Sequence, residues 1–209
     1  MNQMSINKSE AEYIRDAAQE DAGFEQMMKF KKGHFYIDND EVPIGTQFIA
    51  HAVGWTKTWI KFIDQEVVER RVYRMIKGEV PVTRADLDEQ DTSKWPIGND
   101  DRPLDPWVYQ YLLPMENDKD EVVIFIASSF GGKRAIADVC AAWSRKHSKG
   151  FDPGQPIIKL REVMMPSKKW GEVPRPKFEI VGWDGLRAGI REVKTEQIKN
   201  RDMDDNIPF

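Results

Sequence analysis

From Phe30 to Ile76 one short run of strand-forming residues follows another with no helical period between them, which constrains the fold more than any other feature of the chain. The runs are His34 to Ile37, Thr46 to Val53, Thr58 to Ile63 and Glu66 to Ile76. Strands resume at Trp107 to Leu113 and Glu121 to Ala127 around the turn-like Met115 to Asp120, a hairpin pattern. One helix is expected over Lys133 to His147. Ile136, Val139, Cys140 and Trp143 recur there at helical spacing, Arg145, Lys146 and His147 suit the negative end of its dipole, and Gly150 ends it. Two more strands, Ile157 to Met164 and Lys177 to Val181, flank a basic turn, Ser167-Lys168-Lys169-Trp170. Strands without crossover helices predict a mainly β fold, an OB-like antiparallel barrel with one helix, although other small barrels share the pattern.

Residues 78–106 hold Pro81, Pro96, Pro103 and Pro106 among Asp86, Asp88, Glu89, Asp91, Asp100 and Asp101, a composition that predicts a long exposed loop. Residues 1–23 are polar, with a weak helical pattern at Ala11, Ile14, Ala17 and Ala18, and read as an acidic arm or short helix. After Gly185 the apolar periodicity fades, so residues 186–209 read as a disordered tail. A chain of 209 residues with 40% hydrophobic content then holds one domain, residues 24–185, between two arms. No apolar run approaches the roughly 20 residues of a membrane span, and the N-terminus lacks a signal-peptide pattern; a soluble cytoplasmic protein is expected. A single cysteine and three scattered histidines predict neither disulfide nor zinc site, and no metal or cofactor is expected.

The net charge of -4 is unevenly spread. Residues 1–23 carry -3 and residues 200–209 carry -2, so taking both from the total leaves the body at +1. A near-neutral body still binds nucleic acid when its cations gather on one face.

Binding single strands without sequence preference requires rings on which bases stack, worth roughly 1–3 kcal/mol each, and cations that follow the phosphates. The chain has seven Trp. In Gly54-Trp55-Thr56-Lys57-Thr58-Trp59-Ile60-Lys61-Phe62, strand alternation places Lys57, Trp59 and Lys61 on one wet face, with Thr58, Ile60 and Phe62 turned to a core. Trp107, Tyr109 and Tyr111 likewise share a face. Trp55 precedes the first set, Arg70, Arg71 and Arg74 are candidates to line the same groove, and Lys168, Lys169 and Trp170 form a basic, aromatic turn. The competing reading is that strand aromatics are core and charged strands are exposed edges.

Val122 to Ala127 followed by Gly131-Gly132-Lys133-Arg134 has the outline of a phosphate loop, but Ala127 stands where the first glycine is required and Arg134 where a hydroxyl residue holds magnesium. Lys133, Arg134 and the helix N-terminus are read instead as contacts for a DNA phosphate. No nucleophile and base arrangement stands out, acids lie mainly in loops and tails, and Cys140 reads as packing; no enzymatic activity is expected.

The chain finishes Asp202-Met203-Asp204-Asp205-Asn206-Ile207-Pro208-Phe209, an acidic run that cannot fold alone but ends in apolar residues. A terminal Phe offers a ring and a carboxylate to a pocket, and Pro208 lowers the entropy lost on docking. These eight residues resemble the terminal peptide of bacterial single-stranded DNA-binding proteins. That resemblance implies that Pro208 and Phe209 enter a pocket on replication, recombination and repair proteins, with Ile207 beside them in the docking peptide, while Asp202, Asp204 and Asp205 meet its basic rim. Asn206 stands where the family commonly has another aspartate, which implies a weaker rim contact. The body departs from the bacterial family, a combination that resembles phage single-strand binders whose tails recruit host enzymes in the bacterial cytoplasm. The expected partners are single-stranded DNA and those host proteins, with self-association compatible. Two rivals stand beside this expectation: a recombination mediator or annealing protein, and an adaptor that copies the host tail without touching DNA.

Overall fold

The computed structural model describes residues 26–64, 66–98, 102–148, 154–168 and 171–185. Among these residues, ten strands and one helix make up the regular structure, apart from short 3-10 turns: β1 (Gln26–Lys31), β2 (His34–Ile37), β3 (Asp40–Val42), β4 (Gln47–Ala50), β5 (Thr56–Ile63), β6 (Glu66–Arg74), β7 (Trp107–Glu116), β8 (Val122–Ala127), α1 (Phe130–His147), β9 (Gln155–Ser167) and β10 (Gly171–Asp184). The expected mainly β domain with one helix is present. β1 and β3 had no counterpart in the sequence reading. The predicted arms, residues 1–23 and 186–209, lie outside the described residues.

The strands form one sheet in the order β10-β9-β4-β7-β8-β1-β2-β3, with the β5–β6 hairpin branching from β7. Pairing is antiparallel except between β1 and β8. β7 organises the sheet. One of its edges pairs with β8, and the other is shared: β5 runs along Trp107 to Leu112, and β4 takes Met115 and Glu116. Between β4 and β5 the chain turns through a short 3-10 segment, Ala52–Gly54. There the buried His51 hydrogen-bonds Glu116 across 3.1 Å, and Gln155 accepts from the Ala52 amide at 2.8 Å.

The sheet curls into an open half-barrel, which corrects the expected closed OB-like barrel. Phe35 on β2 and Phe178 on β10 approach to 6.2 Å between ring centroids, and a Cβ on Gly33 would lie 3.0 Å from the Glu162 carboxylate on β9. No ladder joins these strands among the described residues. Because β4 and β5 divide one edge of β7, the β5–β6 hairpin leaves the path along which the other strands curl.

The concave side holds the main core, with Met28, Phe35, Phe48, Leu113, Met115, Phe125, Ile158, Leu160 and Phe178 packed against Ala135, Ile136, Val139 and Cys140 of α1. Cys140 is packing, as expected, and burial raises its thiol pKa. Leu112, Ile124 and Ile126 gather on the opposite side. The helix begins at Phe130, three residues before its predicted start, with Ser129 as N-cap accepting from the Gly132 amide at 3.2 Å. The two glycines in its first turn permit close packing: a Cβ on Gly131 would lie 2.7 Å from Arg175 Cβ, and one on Gly132 would lie 2.8 Å from Ala127 Cβ. Only Ser128 and Ser129 separate β8 from α1, too short a link to wrap a phosphate chain.

Residues 78–98 and 102–106 are mostly exposed, as their composition predicted, with only Leu87 and Pro106 buried. They fold as a strap that follows a 3-10 turn at Met75–Lys77 and has others at Arg84–Asp86 and Thr92–Lys94, and Leu87 is driven into a cluster with Trp59 and Trp107. Arg84 organises the strap by donating to Asp105 Oδ2 at 2.7 Å and to the backbone oxygens of Asp88 and Glu89 at 2.9 and 2.8 Å.

Candidate nucleic-acid interface

Register and pleat together set a grid of side chains on one face of β6, β5 and β7. Its rows are Tyr73, Lys57 and Tyr111; then Arg71, Trp59 and Tyr109; then Glu69, Lys61 and Trp107. The two alternating triplets expected to present aromatic and basic faces therefore stand directly opposite each other. This face continues the concave side, since Leu113 and Met115 of the core follow Tyr109 and Tyr111 at the same parity.

The rings form an unbroken series. Trp55 meets Tyr111 edge-on at 5.7 Å, Tyr111 meets Tyr109 edge-on at 5.6 Å, Tyr109 stacks on Trp59 at 4.6 Å, and Trp59 meets Trp107 edge-on at 6.5 Å. Cations sit among them. Lys57 Nζ lies 5.5 Å from the Trp55 ring centre and 5.2 Å from that of Tyr111. Lys133, from the first turn of α1, stands 5.5 Å over Tyr109, and burial lowers its pKa. Burial, reinforced by neighbouring Tyr111, pushes the Tyr109 hydroxyl up to about 12, so it stays a neutral donor and acceptor.

The strap divides the grid in two. Trp55, Lys57, Tyr73, Tyr109, Tyr111 and Lys133 are half-buried and form the open part. Trp59, Lys61 and Trp107 are only 9%, 7% and 3% exposed, which corrects the expected wet face: as the protein stands, they are covered. Asp88 of the strap accepts from Lys61 and from the Trp107 indole, both at 2.7 Å, and Val82 O accepts from the Trp59 indole at 3.0 Å. The Asp88 carboxyl is held below its ordinary pKa, chiefly by Lys61, and Lys61 is raised chiefly by Asp88.

Comparison of the chain with protein-family models, curated proteins and solved structures returns no match.

The remaining candidates separate. Arg71 joins the grid, 5.3 Å over Trp107 and bonded to Glu69 at 2.7 Å. Arg70 and Arg74 pair with Ile60 and Thr56 and so belong to the other face, a correction to the single groove expected for all three. Arg134 is exposed and pairs with Asp138 at 2.9 Å on α1. Lys168 is exposed beyond the end of β9, a strand with no ladder to β5 or β7. Lys169, Trp170, Asp202, Asp204, Asp205, Ile207, Pro208 and Phe209 lie outside the described residues.

Two residues absent from the expected set belong near the site. Tyr73 completes the first row from β6, and its alternation with Arg71 was a legible signal. Phe130 is 71% exposed one helical turn before Lys133, an unburied ring of the kind on which a base stacks. Among the described residues no group of three or more His, Cys, Asp or Glu side chains gathers as metal ligands do.

Proposed function

We propose that the protein binds single-stranded DNA across the open part of the grid, without sequence preference. The observation that carries this reading is the Lys57 ammonium set between the half-buried Trp55 and Tyr111 rings, with Lys133 over Tyr109 beside it. Stacking tolerates any base because every base has a π-face, and the interleaved ammonium groups supply charge for the phosphates. Residues 202–209 then act as the docking peptide for replication, recombination and repair proteins of a bacterial host, on the strength of their resemblance to the bacterial family.

Fluorescence anisotropy with labelled oligo(dT) at several salt concentrations tests the reading. Binding that weakens steeply with salt is expected, and deletion of residues 200–209 should leave the affinity unchanged or raise it. Absence of binding at low salt would overturn the proposal and favour the adaptor.

A further inference from the structure

The sheet side chains that hydrogen-bond the strap are donors. The indoles of Trp59 and Trp107 and the Lys61 ammonium have no acceptor to offer, nor does the Arg71 guanidinium over Trp107. In the folded chain, Val82 O meets the Trp59 indole, Asp88 meets both the Trp107 indole and Lys61, and Glu89 Oε1 accepts from Lys61 at 3.2 Å. Any other occupant must also bring oxygens, and the Lys61 ammonium, whose bonded carboxylates both come from the strap, favours one with negative charge. A phosphodiester has both. Leu87, 4% exposed, sits against Trp59 and Trp107 in the apolar position that a base would take.

The covered rings continue the open ones, since Trp59 stacks on Tyr109 at 4.6 Å. Leu87 and half-buried Val82 are the strap's aliphatic contacts in the cluster, so polar bonds carry much of its hold. The Asp88 and Glu89 side chains remain 53% and 42% exposed, which puts two carboxylates at the rim where an arriving phosphate meets like charge.

Building on the single-strand reading above, we propose that Trp59, Lys61, Arg71 and Trp107 form a second nucleotide subsite, occupied in the free protein by Leu87, Asp88 and Glu89 and taken over by a DNA strand that displaces the strap. The strap therefore sets affinity. A strand first engages the open rings, and its next phosphate exchanges with the carboxylates.

The test compares the full chain with D88N/E89Q and, separately, with R84A, which releases the backbone behind both carboxylates without altering the sheet. Affinity for oligo(dT) is expected to rise about three- to tenfold in each variant at low salt and to converge with that of the parent protein at high salt. K61A should flatten the salt dependence by about 0.7 in the log-log slope, the share of one lost phosphate contact on a single strand. Hydrogen exchange in the parent protein should show residues 82–95 losing protection when oligo(dT) binds. If the parent binds, the charge variants match it and residues 82–95 keep or gain protection, the subsite is overturned while the function stands. If neither parent nor variants bind, the function itself has failed. Binding by the variants alone would support the subsite.

Discussion

Phe35 and Phe178 face each other with ring centroids 6.2 Å apart, although their strands stand six places apart in the sheet order. Phe125 meets both, at 6.1 and 4.9 Å, so three rings hold together what no backbone ladder joins among the described residues. Phe178→Ala should therefore cost about 3–5 kcal/mol, as for other buried Phe truncations. Urea unfolding measures this, and a loss below about 1 kcal/mol would show that the seam is held by something else.

Trp55→Ala and Tyr111→Ala should each weaken oligo(dT) binding by roughly 1–3 kcal/mol, about 5- to 150-fold, if bases stack on the open rings. Anisotropy titration checks this. Arg70→Ala, on the other face of β6, is the control and should leave affinity within about twofold.

Gly132→Ala should destabilise the domain despite the better helix propensity of alanine. The new Cβ would stand 2.8 Å from Ala127 Cβ, so the first turn of α1 must move away from β8. A cost of about 1–3 kcal/mol is expected from overpacking, read from thermal or urea unfolding.

Acid should loosen the strap. The Asp88 carboxyl is held below its ordinary pKa by Lys61, with Trp107 adding to the effect. A depressed folded-state pKa contributes stability that is present above the unfolded value of 3.8 and lost as pH falls through the folded one. Half-exposure of Asp88 limits the size of that contribution through solvent screening. Asp86 and Asp91, also depressed by hydrogen bonds to Thr83 and Ser93, titrate within the same segment. Protection of the Trp107 indole relative to its intrinsic exchange rate should fall below about pH 4 in the parent protein. In D88N that protection should be lower at neutral pH and lack the acid-dependent fall, and an unchanged pH dependence of protection in that variant would refute the assignment.

Much of the site was legible because strand alternation is local. Lys57 with Lys61, and Trp107 with Tyr109 and Tyr111, share faces by a period that needs no knowledge of partners. That Trp59 stands opposite Tyr109 depends on a pairing between residues fifty positions apart, which no local pattern specifies. The same period could have divided Arg71 from Arg70 and Arg74, yet their shared charge suggested one groove. The prolines and acids of the strap signal its exposure but not its course, which one leucine and the tryptophans it meets decide. Closure was not legible either: strand runs do not reveal that β4 and β5 share one edge of β7 or that β1 runs parallel to β8.

β7 carries Leu113 and Met115 in the core and Trp107, Tyr109 and Tyr111 in the grid, all on one face. A one-residue slip of this strand would turn the whole set to the other side of the sheet. Selection for a stable fold therefore also preserves the orientation of the rings, and the surface can diversify residue by residue but not by sliding. The ring-bearing face is thereby tied to the register that the core requires.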